Sequence, residues 1–396
     1  MDGTPMDAVD QETFEQIRDA VRRFTQERLI PAEREVEETD TVPDAIVAEM
    51  KELGLFGLSV PQDYGGMGLT LSQEFEVIAE VGQAALAFRS VFGTNVGIGS
   101  QGIVIDGTEA QKAEWLPGLA SGEVVASFAL TEPDAGSDAG GLRTRAVRDG
   151  DDFVINGSKR YITNANRATI LSLMARTDPD AKGPRGISAF IVPTETPGIT
   201  IGKHDHKMGQ RGTRTCDITF EDVRIPAANM IGGEAMLNQG FKTAMKVLDR
   251  GRIHMAALGV GQSRRLINEA VGYALERKQF GQPIADFQLM QALLADSQAE
   301  LYASECLSRD AAARFDAGQR ITLEAACAKM TATETAGKIA DRAVQIFGGA
   351  GYMTEYPVER IYRDVRLMRI YEGTTQIQQL IIARNMLDRH RNGTRL

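Results

Sequence analysis

The sequence predicts an α+β protein of three successive domains, in which a β domain lies between a helical domain and a bundle of four helices. From residue 125 to about 226, short apolar runs rich in β-branched residues are bounded by Gly, Pro and Asp, which is typical of strands. Before and after this segment, apolar residues recur at helical spacing. A chain of 396 residues is long enough for two or three domains. We place their boundaries at 1–124, 125–235 and 236–396.

The first domain begins with a helix whose start is marked by a candidate N-cap, Asp10, ahead of four apolar residues at helical spacing. Those apolar residues are Phe14, Ile17, Val21 and Phe24. A second helix is predicted around 43–53, where Gly54 ends it. A third helix is predicted over 72–105, and its few charges indicate that it is buried.

The middle domain contains a strong hairpin signal, because Asn156-Gly157 separates two apolar runs and suits a two-residue turn. After Gly232-Gly233 the helical spacing returns and persists to the end of the sequence. Long helices joined by short links favour an antiparallel bundle. They are predicted over about 238–277, 287–316, 322–347 and 374–390. The Gly-Val-Gly at 259–261 falls inside the first of these helices and indicates helix packing rather than a nucleotide-binding loop.

Composition excludes several classes of function. The net charge of −10 disfavours a nucleic-acid partner, and no run of about 18 uninterrupted apolar residues predicts a membrane span. The N-terminus lacks the apolar core of a secretory signal, and the three cysteines have neither metal-ligand nor disulfide spacing. We therefore expect a cytoplasmic protein without a metal site. Basic residues exceed acidic ones only over 236–396, which favours that part for an anionic ligand.

Two motifs of the middle domain offer ligand-binding groups. In ALTEPDAGSDAGG, residues 129–141, Thr131, Ser137 and three glycines allow several backbone N–H groups to face a flavin edge or a pyrophosphate. An ordinary polar loop between strands would have the same composition. In KRYITNAN, residues 159–166, Tyr161 and Thr163 are predicted on one face of a strand. They form either a stacking surface beside a donor or part of an ordinary half-buried strand.

Two further motifs lie in the C-terminal domain. The segment QIFGGAGYMTEYPVERIYRD, residues 345–364, ends a helix with glycines that expose backbone groups. In YEGTTQIQQL, residues 371–380, Glu372 follows apolar residues and precedes a helix. Either desolvation raises the pKa of Glu372 towards that of a useful base, or Glu372 is an exposed carboxylate near a helix N-terminus with no further role.

Together, and in this order, the four motifs resemble the acyl-CoA dehydrogenase family. Two long family patterns are satisfied, LTEPDAGSD at 130–138 and Q-x2-GG-x-GY-x2-E-x4-R-x3-D from Gln345 to Asp364. The resemblance covers nearly the whole chain. It implies an α-helical N-terminal domain, a β-barrel-like middle domain, a C-terminal four-helix bundle, a homotetramer and bound FAD.

The family pattern also assigns site residues. For FAD it implies two groups, one around the flavin and one reaching the FAD of a neighbouring subunit. The first comprises Phe128, Leu130, Thr131, Gly136, Ser137, Tyr161, Thr163, Thr374 and Gln376, and the second comprises Arg277, Phe280, Gln288, Gln345, Gly348 and Gly349. For the CoA thioester it points to Ser137, Asp249, Arg252, Arg320, Gly373 and Arg384.

Glu372 falls on the family's usual position for the catalytic base. The resemblance implies that it removes the α-proton while the β-hydride passes to flavin N5, giving a trans-2-enoyl-CoA. Some family members carry the base on a helix of the C-terminal domain. The equivalent stretch here, LDRGRIHM at 248–255, has Arg250 and Gly251 and leaves no carboxylate free for that task.

The implied role is in fatty acid metabolism and β-oxidation, on a short- to medium-chain or branched acyl-CoA, with an electron-transferring flavoprotein as electron acceptor. The chain is short for the oxidase relatives, and Glu372 disfavours the monooxygenase relatives and the nitroalkane-oxidising relatives that use Asp. A non-catalytic acyl-CoA-binding flavoprotein is the alternative from another class, and it would be expected to have lost the base or the flavin motifs.

Arg89 and Ser90 bear on the substrate. They lie in LAFRSVFGTNVGIG, and a charge in such an apolar stretch needs a partner. The FRS resembles a YRS segment of glutaryl-CoA dehydrogenases, whose Arg and Ser meet the distal carboxylate of a dicarboxylic substrate. The other interpretation is an internal ion pair between Arg89 and an acidic residue of the first third, since buried charges are usually paired within the protein.

Overall fold

The computed structural model describes residues 9–393, and their first part is helical. The helices are α1 (Gln11–Phe24), α2 (Ile30–Thr39), α3 (Asp44–Glu52), α4 (Leu71–Val81), α5 (Leu86–Val96), α6 (Gln101–Asp106) and α7 (Glu109–Ser121). Asp10 caps α1 as predicted, because its side chain accepts a hydrogen bond of 2.9 Å from the N–H of Thr13. A π-helical turn at Thr25–Leu29 joins α1 to α2.

The predicted single helix over 72–105 is wrong, since three helices occupy it. The helix α4 stops at its C-cap, Gly82, and α5 stops at Gly97, whose φ of −123° and ψ of −123° leave the helical region. A side chain at Gly97 would put its Cβ 2.9 Å from the carbonyl oxygen of Gly93. The predicted burial of this region is confirmed for most of α4 and α5.

The middle part forms one seven-stranded sheet. Its strands are β1 (Ala126–Ala129), β2 (Arg145–Asp149), β3 (Asp152–Thr163), β4 (Ile170–Arg176), β5 (Ile187–Pro193), β6 (Ile199–His204) and β7 (Thr215–Pro226). Their order is β1-β4-β2-β3-β7-β6, with β5 also paired to β4. The buried faces of β3, β4, β5 and β7 supply the core of this part.

The hairpin predicted at Asn156-Gly157 is also wrong. The turn lies at Gly150-Asp151, where β2 meets β3 and Asp149 pairs with Asp152. Gly157 lies inside β3 at a register shift against β7, with a φ of 149°. An added Cβ there would come within 2.6 Å of Thr144 Oγ1, so the glycine permits a bulge and a close strand approach instead of a turn.

The C-terminal part is a helical bundle. Its elements are α8 (Gly240–Glu276), β8 (Lys278–Gln279), β9 (Gln282–Pro283), α9 (Gln288–Asp316), α10 (Thr322–Phe347), α11 (Pro357–Met368) and α12 (Thr375–Arg391). The four predicted helices are confirmed within about two residues at each end. The helix α11, which follows the glycines at 348–351 and begins with Pro357 at its first turn, is an element that the sequence did not predict. Among residues 9–393, no helix has the length and apolar character needed to cross a bilayer.

Glycines let the helix α8 approach its neighbours closely, as the Gly-Val-Gly motif predicted. A Cβ at Gly259 would lie 2.8 Å from the carbonyl oxygen of Ala332 in α10, and one at Gly261 would lie 2.5 Å from that of Ala79 in α4. Both partners are backbone atoms, which cannot move without shifting a helix. The motif therefore fixes how the bundle packs on the first part of the chain.

We expect Gly261→Ala to destabilise the protein by about 1–3 kcal/mol, because the methyl group would force α8 away from α4. Gly272→Ala on the same helix is the matched control, since its added Cβ would meet no atom of residues 9–393 within 4 Å, apart from its chain neighbours and the adjacent backbone of its own helix. That substitution should stabilise the helix by about 0.5–1 kcal/mol. Thermal unfolding of both variants checks the prediction, and equal midpoints would contradict it.

Candidate active site

A cleft of about 1250 Å³ opens where the three parts of the chain meet. It is lined by α5 from the first part, by the loop after β1 and by β3 from the sheet, and by α8 and the segment 370–384 from the bundle. Most of the predicted site residues line it. They are Arg89, Ser90, Phe128, Leu130, Thr131, Gly136, Ser137, Tyr161, Thr163, Arg252, Glu372, Gly373, Thr374 and Arg384.

Three other predicted residues lie outside the lining of the cleft. Asp249 forms an ion pair with Arg252, and it accepts a hydrogen bond of 2.7 Å from Thr322. Arg320 is exposed and donates to the same Thr322 at 3.3 Å. Gln376 is exposed on the first turn of α12. Asp249 therefore orients Arg252 towards the cleft.

The residues predicted to reach a neighbouring subunit are all exposed on the bundle, away from the cleft. They are Arg277, Phe280, Gln288, Gln345, Gly348 and Gly349. Phe280 is 93% exposed and has a left-handed φ of 51°, between β8 and β9. The aromatic ring of Phe280 is thus open to solvent at the tip of this hairpin.

The loop after β1 is held by a buried ion pair that the sequence analysis missed. Glu132 accepts hydrogen bonds from the N–H groups of Arg143 at 2.6 Å and Thr144 at 2.9 Å, and from the ammonium of Lys159 at 2.8 Å. Lys159, fully buried, also donates to the carbonyl of Leu130. Burial lowers the pKa of Lys159 to about 8. These bonds fix the loop so that Gly136 and Ser137 face the cleft.

Tyr161 presents an aromatic ring to the cleft. It has a left-handed φ of 59° at a register shift between Lys159 and Ile162, and it is 61% exposed. The guanidinium of Arg160 lies 4.3 Å from the centre of the ring. The sequence predicted Tyr161 and Thr163 on one face from the regular alternation of side chains along a strand. That alternation does not hold here, because the bulge interrupts it. Both residues nevertheless line the cleft.

Glu372 lies in the short turn between α11 and α12, where its φ of 53° and the φ of 87° at Gly373 are both left-handed. Its Oε2 atom is buried and has no hydrogen-bond partner among residues 9–393. Gly251 in α8 makes room for the carboxylate, since a Cβ there would lie 2.5 Å from Oε2. The carboxylate of Glu372 is therefore not simply exposed to solvent, as one of the two interpretations of the sequence had it.

Burial raises the pKa of Glu372 above its ordinary value, and three cations oppose the rise. In order of effect they are Arg89, Lys329 and Arg252, which belong to three different helices. None forms an ion pair with Glu372 among the described residues. Burial thus makes the carboxylate a stronger base, and the three cations stabilise its negative charge without contacting it directly.

The backbone around Glu372 is tied down by its carbonyl groups. The carbonyl of Gly373 accepts from Lys329 Nζ at 2.8 Å and from Gln378 Nε2 at 3.0 Å, and the carbonyl of Glu372 accepts from Gln378 at 3.3 Å. The N–H of Glu372 donates to no group among residues 9–393. Within these residues, the buried carboxylate oxygen and the N–H of Glu372 therefore both lack a hydrogen-bond partner.

Arg89 forms no ion pair with an acid among residues 9–124, so the predicted internal pair is not found in the described part of the first third. Its side chain is buried, and Nη2 contacts His254 Nδ1 at 3.2 Å, while Nε has no partner among the described residues. His254 Nε2 lies 2.8 Å from Glu74 Oε2. Because the carboxylate can only accept, Nε2 carries the ring proton and Nδ1 accepts from Arg89. Glu74 also pairs with Arg250, so its charge is already shared.

The sequence signals for these missed residues were faint. His254 and Lys329 are single polar residues beside apolar ones, Lys159 lies between Ser158 and Arg160, and none belongs to a spacing pattern that specifies a site. When such a lysine or histidine is buried, the sequence shows only that it needs a hydrogen-bond or ion-pair partner, and it does not show which residue that partner is.

Comparison with known proteins gives one consistent result. The chain matches the acyl-CoA dehydrogenase N-terminal domain over residues 11–123, the middle domain over 127–223 and the C-terminal domain over 238–387. A probable acyl-CoA dehydrogenase, YngJ of Bacillus subtilis, is 44% identical over 371 residues, which are 94% of this chain and 97% of that protein.

Two further relatives are similarly complete. The CarC subunit of the caffeyl-CoA reductase-Etf complex of Acetobacterium woodii is 40% identical over 94% of this chain and 97% of its own. The structure of a glutaryl-coenzyme A dehydrogenase with glutaryl-CoA superposes with a TM-score of 0.91 at 34% identity, covering 97% of each chain.

His254 gives the site a measurable acid sensitivity. Burial lowers its pKa from 6.5 to about 4, against the opposing effect of Glu74. A histidine with a depressed folded pKa takes up a proton on unfolding, so its stabilisation is full above pH 6.5 and falls towards pH 4. Between pH 7 and pH 5 this loss is about 2 kcal/mol.

We expect His254→Gln, which keeps a donor and an acceptor but cannot titrate, to lose about 2 kcal/mol less stability than the wild type between these pH values. Urea unfolding at both pH values measures the difference. His390→Gln, at an exposed position of α12, is the control and should behave like the wild type. Identical pH dependence of His254→Gln and the wild type would contradict the prediction, because it would mean that folding does not change the pKa of His254.

Proposed function

Because this chain belongs to the acyl-CoA dehydrogenase family, whose members are FAD flavoproteins that oxidise acyl-CoA thioesters, we propose that Glu372 is the base that removes the α-proton of its substrate. The observation that carries the proposal is that Oε2 of Glu372 is buried in the cleft and has no hydrogen-bond partner in the part of the chain that the structure describes. The product of such a desaturation is the trans-2-enoyl-CoA.

The residues of the cleft fit FAD. The N–H groups of Gly136, Ser137 and Asp138 make no hydrogen bond within residues 9–393, although their loop is held rigidly and lines the cleft. Such free donors suit the polar edge of a flavin, and the exposed ring of Tyr161 offers a stacking surface beside Thr163. FAD, when bound, supplies the acceptor for the hydride that leaves the β-carbon.

The chain itself must make the α-proton removable. A thioester α-carbon is too weakly acidic for a carboxylate in water, so negative charge on the thioester oxygen needs hydrogen-bond donors in a site that excludes water. The free N–H of Glu372 is one such donor. Its carboxylate accepts the proton, and the turn that holds both groups fixes them relative to each other.

We expect Glu372→Gln to retain FAD and bind acyl-CoA, because the amide keeps the size of the side chain. It should lose about 10²–10⁴-fold in the rate of substrate-dependent flavin bleaching, since a general base contributes that much. Anaerobic stopped-flow measures the rate, and visible absorbance measures the flavin content. Near-normal bleaching by this variant would place the base elsewhere. An inability of the wild type to hold FAD would favour a non-catalytic acyl-CoA-binding protein.

The rest of the assembly is proposed on similar grounds. The exposed group around Phe280 supports a homotetramer in which these residues reach the FAD of a neighbour. Arg252, oriented by Asp249, and Arg384 in the cleft support binding of the CoA thioester there. The Etf complex in the name of the CarC relative supports an electron-transferring flavoprotein as electron acceptor.

The proposed substrate is a short- to medium-chain or branched acyl-CoA. The part of the cleft formed by the first domain contains Arg89 and His254 beside apolar residues such as Leu86 and Leu258. A long apolar tail would have to cover this buried cation without supplying a partner, which is unfavourable.

A dicarboxylyl-CoA is the second candidate, and Arg89 favours it. Its guanidinium faces the cleft with no carboxylate partner among the described residues, and Glu74 is already shared by Arg250 and His254. A distal carboxylate on the acyl chain would complete the missing ion pair. The likeness to a glutaryl-coenzyme A dehydrogenase bound to glutaryl-CoA supports this candidate.

A panel of butyryl-, octanoyl-, isobutyryl- and glutaryl-CoA, tested on the wild type and Arg89→Ala, separates the two candidates. For a dicarboxylyl-CoA enzyme, Arg89→Ala should lower kcat/KM for glutaryl-CoA by at least about 30-fold, since breaking a buried ion pair costs 2 kcal/mol or more, and should spare butyryl-CoA. Arg34→Ala, at an exposed position of α2, is the control. No turnover of glutaryl-CoA by the wild type would rule out the dicarboxylate candidate.

A further inference from the structure

Lys329 is a buried cation that no step of the proposed reaction uses. It lies in the middle of α10, and its side chain is fully buried. A lysine is rarely buried without a carboxylate partner, yet Lys329 forms no ion pair within residues 9–393. The one hydrogen bond of its ammonium group in that range is the 2.8 Å contact to the carbonyl of Gly373.

That contact ends on the residue next to the proposed base. Glu372 and Gly373 are consecutive left-handed residues, and a left-handed glutamate is an unfavourable conformation that its surroundings must maintain. Lys329 and Gln378 are the two side chains that hold the pair, through the carbonyls of both residues. Loss of either anchor would free the turn to relax.

The charges around the turn give Lys329 a second effect. Glu372 is faced by Arg89 from α5, Arg252 from α8 and Lys329 from α10, and by its neighbour Tyr371. Lys329 is faced in turn by Glu372, Arg252 and Glu334. Glu334 already accepts hydrogen bonds from Thr375 at 2.6 Å and Arg369 at 3.3 Å. Of the two carboxylates that face Lys329, Glu372 is therefore the one without a hydrogen-bond partner among the described residues.

We propose that Lys329 is the positioning residue of the catalytic turn. Its hydrogen bond to Gly373 holds Glu372 and the N–H of Glu372 in place, and its positive charge favours the ionised carboxylate of Glu372. This inference rests on the proposed role of Glu372. Burial lowers the pKa of Lys329 to about 8, so it carries its charge at neutral pH. Burial raises the pKa of Glu372 and so disfavours its ionised form, and the charge of Lys329 opposes this effect.

Two variants separate the two effects. Lys329→Met removes the charge and the hydrogen bond, whereas Lys329→Gln removes the charge and keeps a donor. We expect both to move the acidic limb of the pH profile of flavin reduction upward by about one pH unit or more, because the ionised carboxylate loses a nearby cation. Lys329→Met should also lose about 10–100-fold in rate on the high-pH plateau through misplacement of the base, and Lys329→Gln should lose less.

The binding of a non-oxidisable thioether analogue of acyl-CoA should change little in either variant, so the effect falls on kcat rather than KM. Lys338→Met is the matched control on the same helix, since Lys338 is 59% exposed, and it should leave the profile unchanged.

An unshifted acidic limb in a folded, flavin-containing Lys329→Gln overturns the proposal, and so does failure of both variants to fold with flavin. If Glu372→Gln reduces flavin normally, the role of Glu372 is wrong instead. If Glu372→Gln is inactive while the Lys329 variants match the wild type, only the present inference fails.

Discussion

The site depends on one physical constraint, which is that a carboxylate must be both dry and ionised to act as a base at neutral pH. In water Glu372 would be ionised but too weak a base, and in an apolar pocket it would be protonated. Three cations from three helices surround it without forming an ion pair with it among the described residues. They can favour the charge while leaving an oxygen free for a proton.

The rest of the architecture follows from bringing those cations together. Arg89 comes from the first part of the chain and Arg252 and Lys329 from the bundle, so the domains must pack closely. The glycines of α8 allow that approach, and Gly251 leaves the space that the carboxylate fills. The sheet contributes a rigid loop, braced by Glu132 and Lys159, as the opposite wall of the cleft.

Much of the fold and many residues of the cleft could be predicted from the sequence, and the predictions that failed did so for physical reasons. Helix bounds in the bundle were predictable because apolar periodicity and glycine breaks coincide there, and the family motifs brought most cleft residues together. The hairpin at Asn156-Gly157 failed because a glycine in a strand can serve a bulge as well as a turn.

The partners of the buried charged side chains could not be predicted from the sequence either. Arg89 was expected to pair with a nearby acid, but its contact, His254, lies 165 residues away in the sequence. Lys329 contacts a carbonyl, which no side-chain pattern records. Which polar group meets which is decided by tertiary packing, so a single sequence gives only the need for a partner.

The most direct test of the account is a crystal structure of the enzyme with FAD and a non-oxidisable acyl-CoA thioether. We expect a carboxylate oxygen of Glu372 about 3.5 Å or less from the α-carbon, with the flavin ring on the opposite face of the acyl chain. A Glu372 side chain turned away from the α-carbon, with another acid in its place, would contradict it.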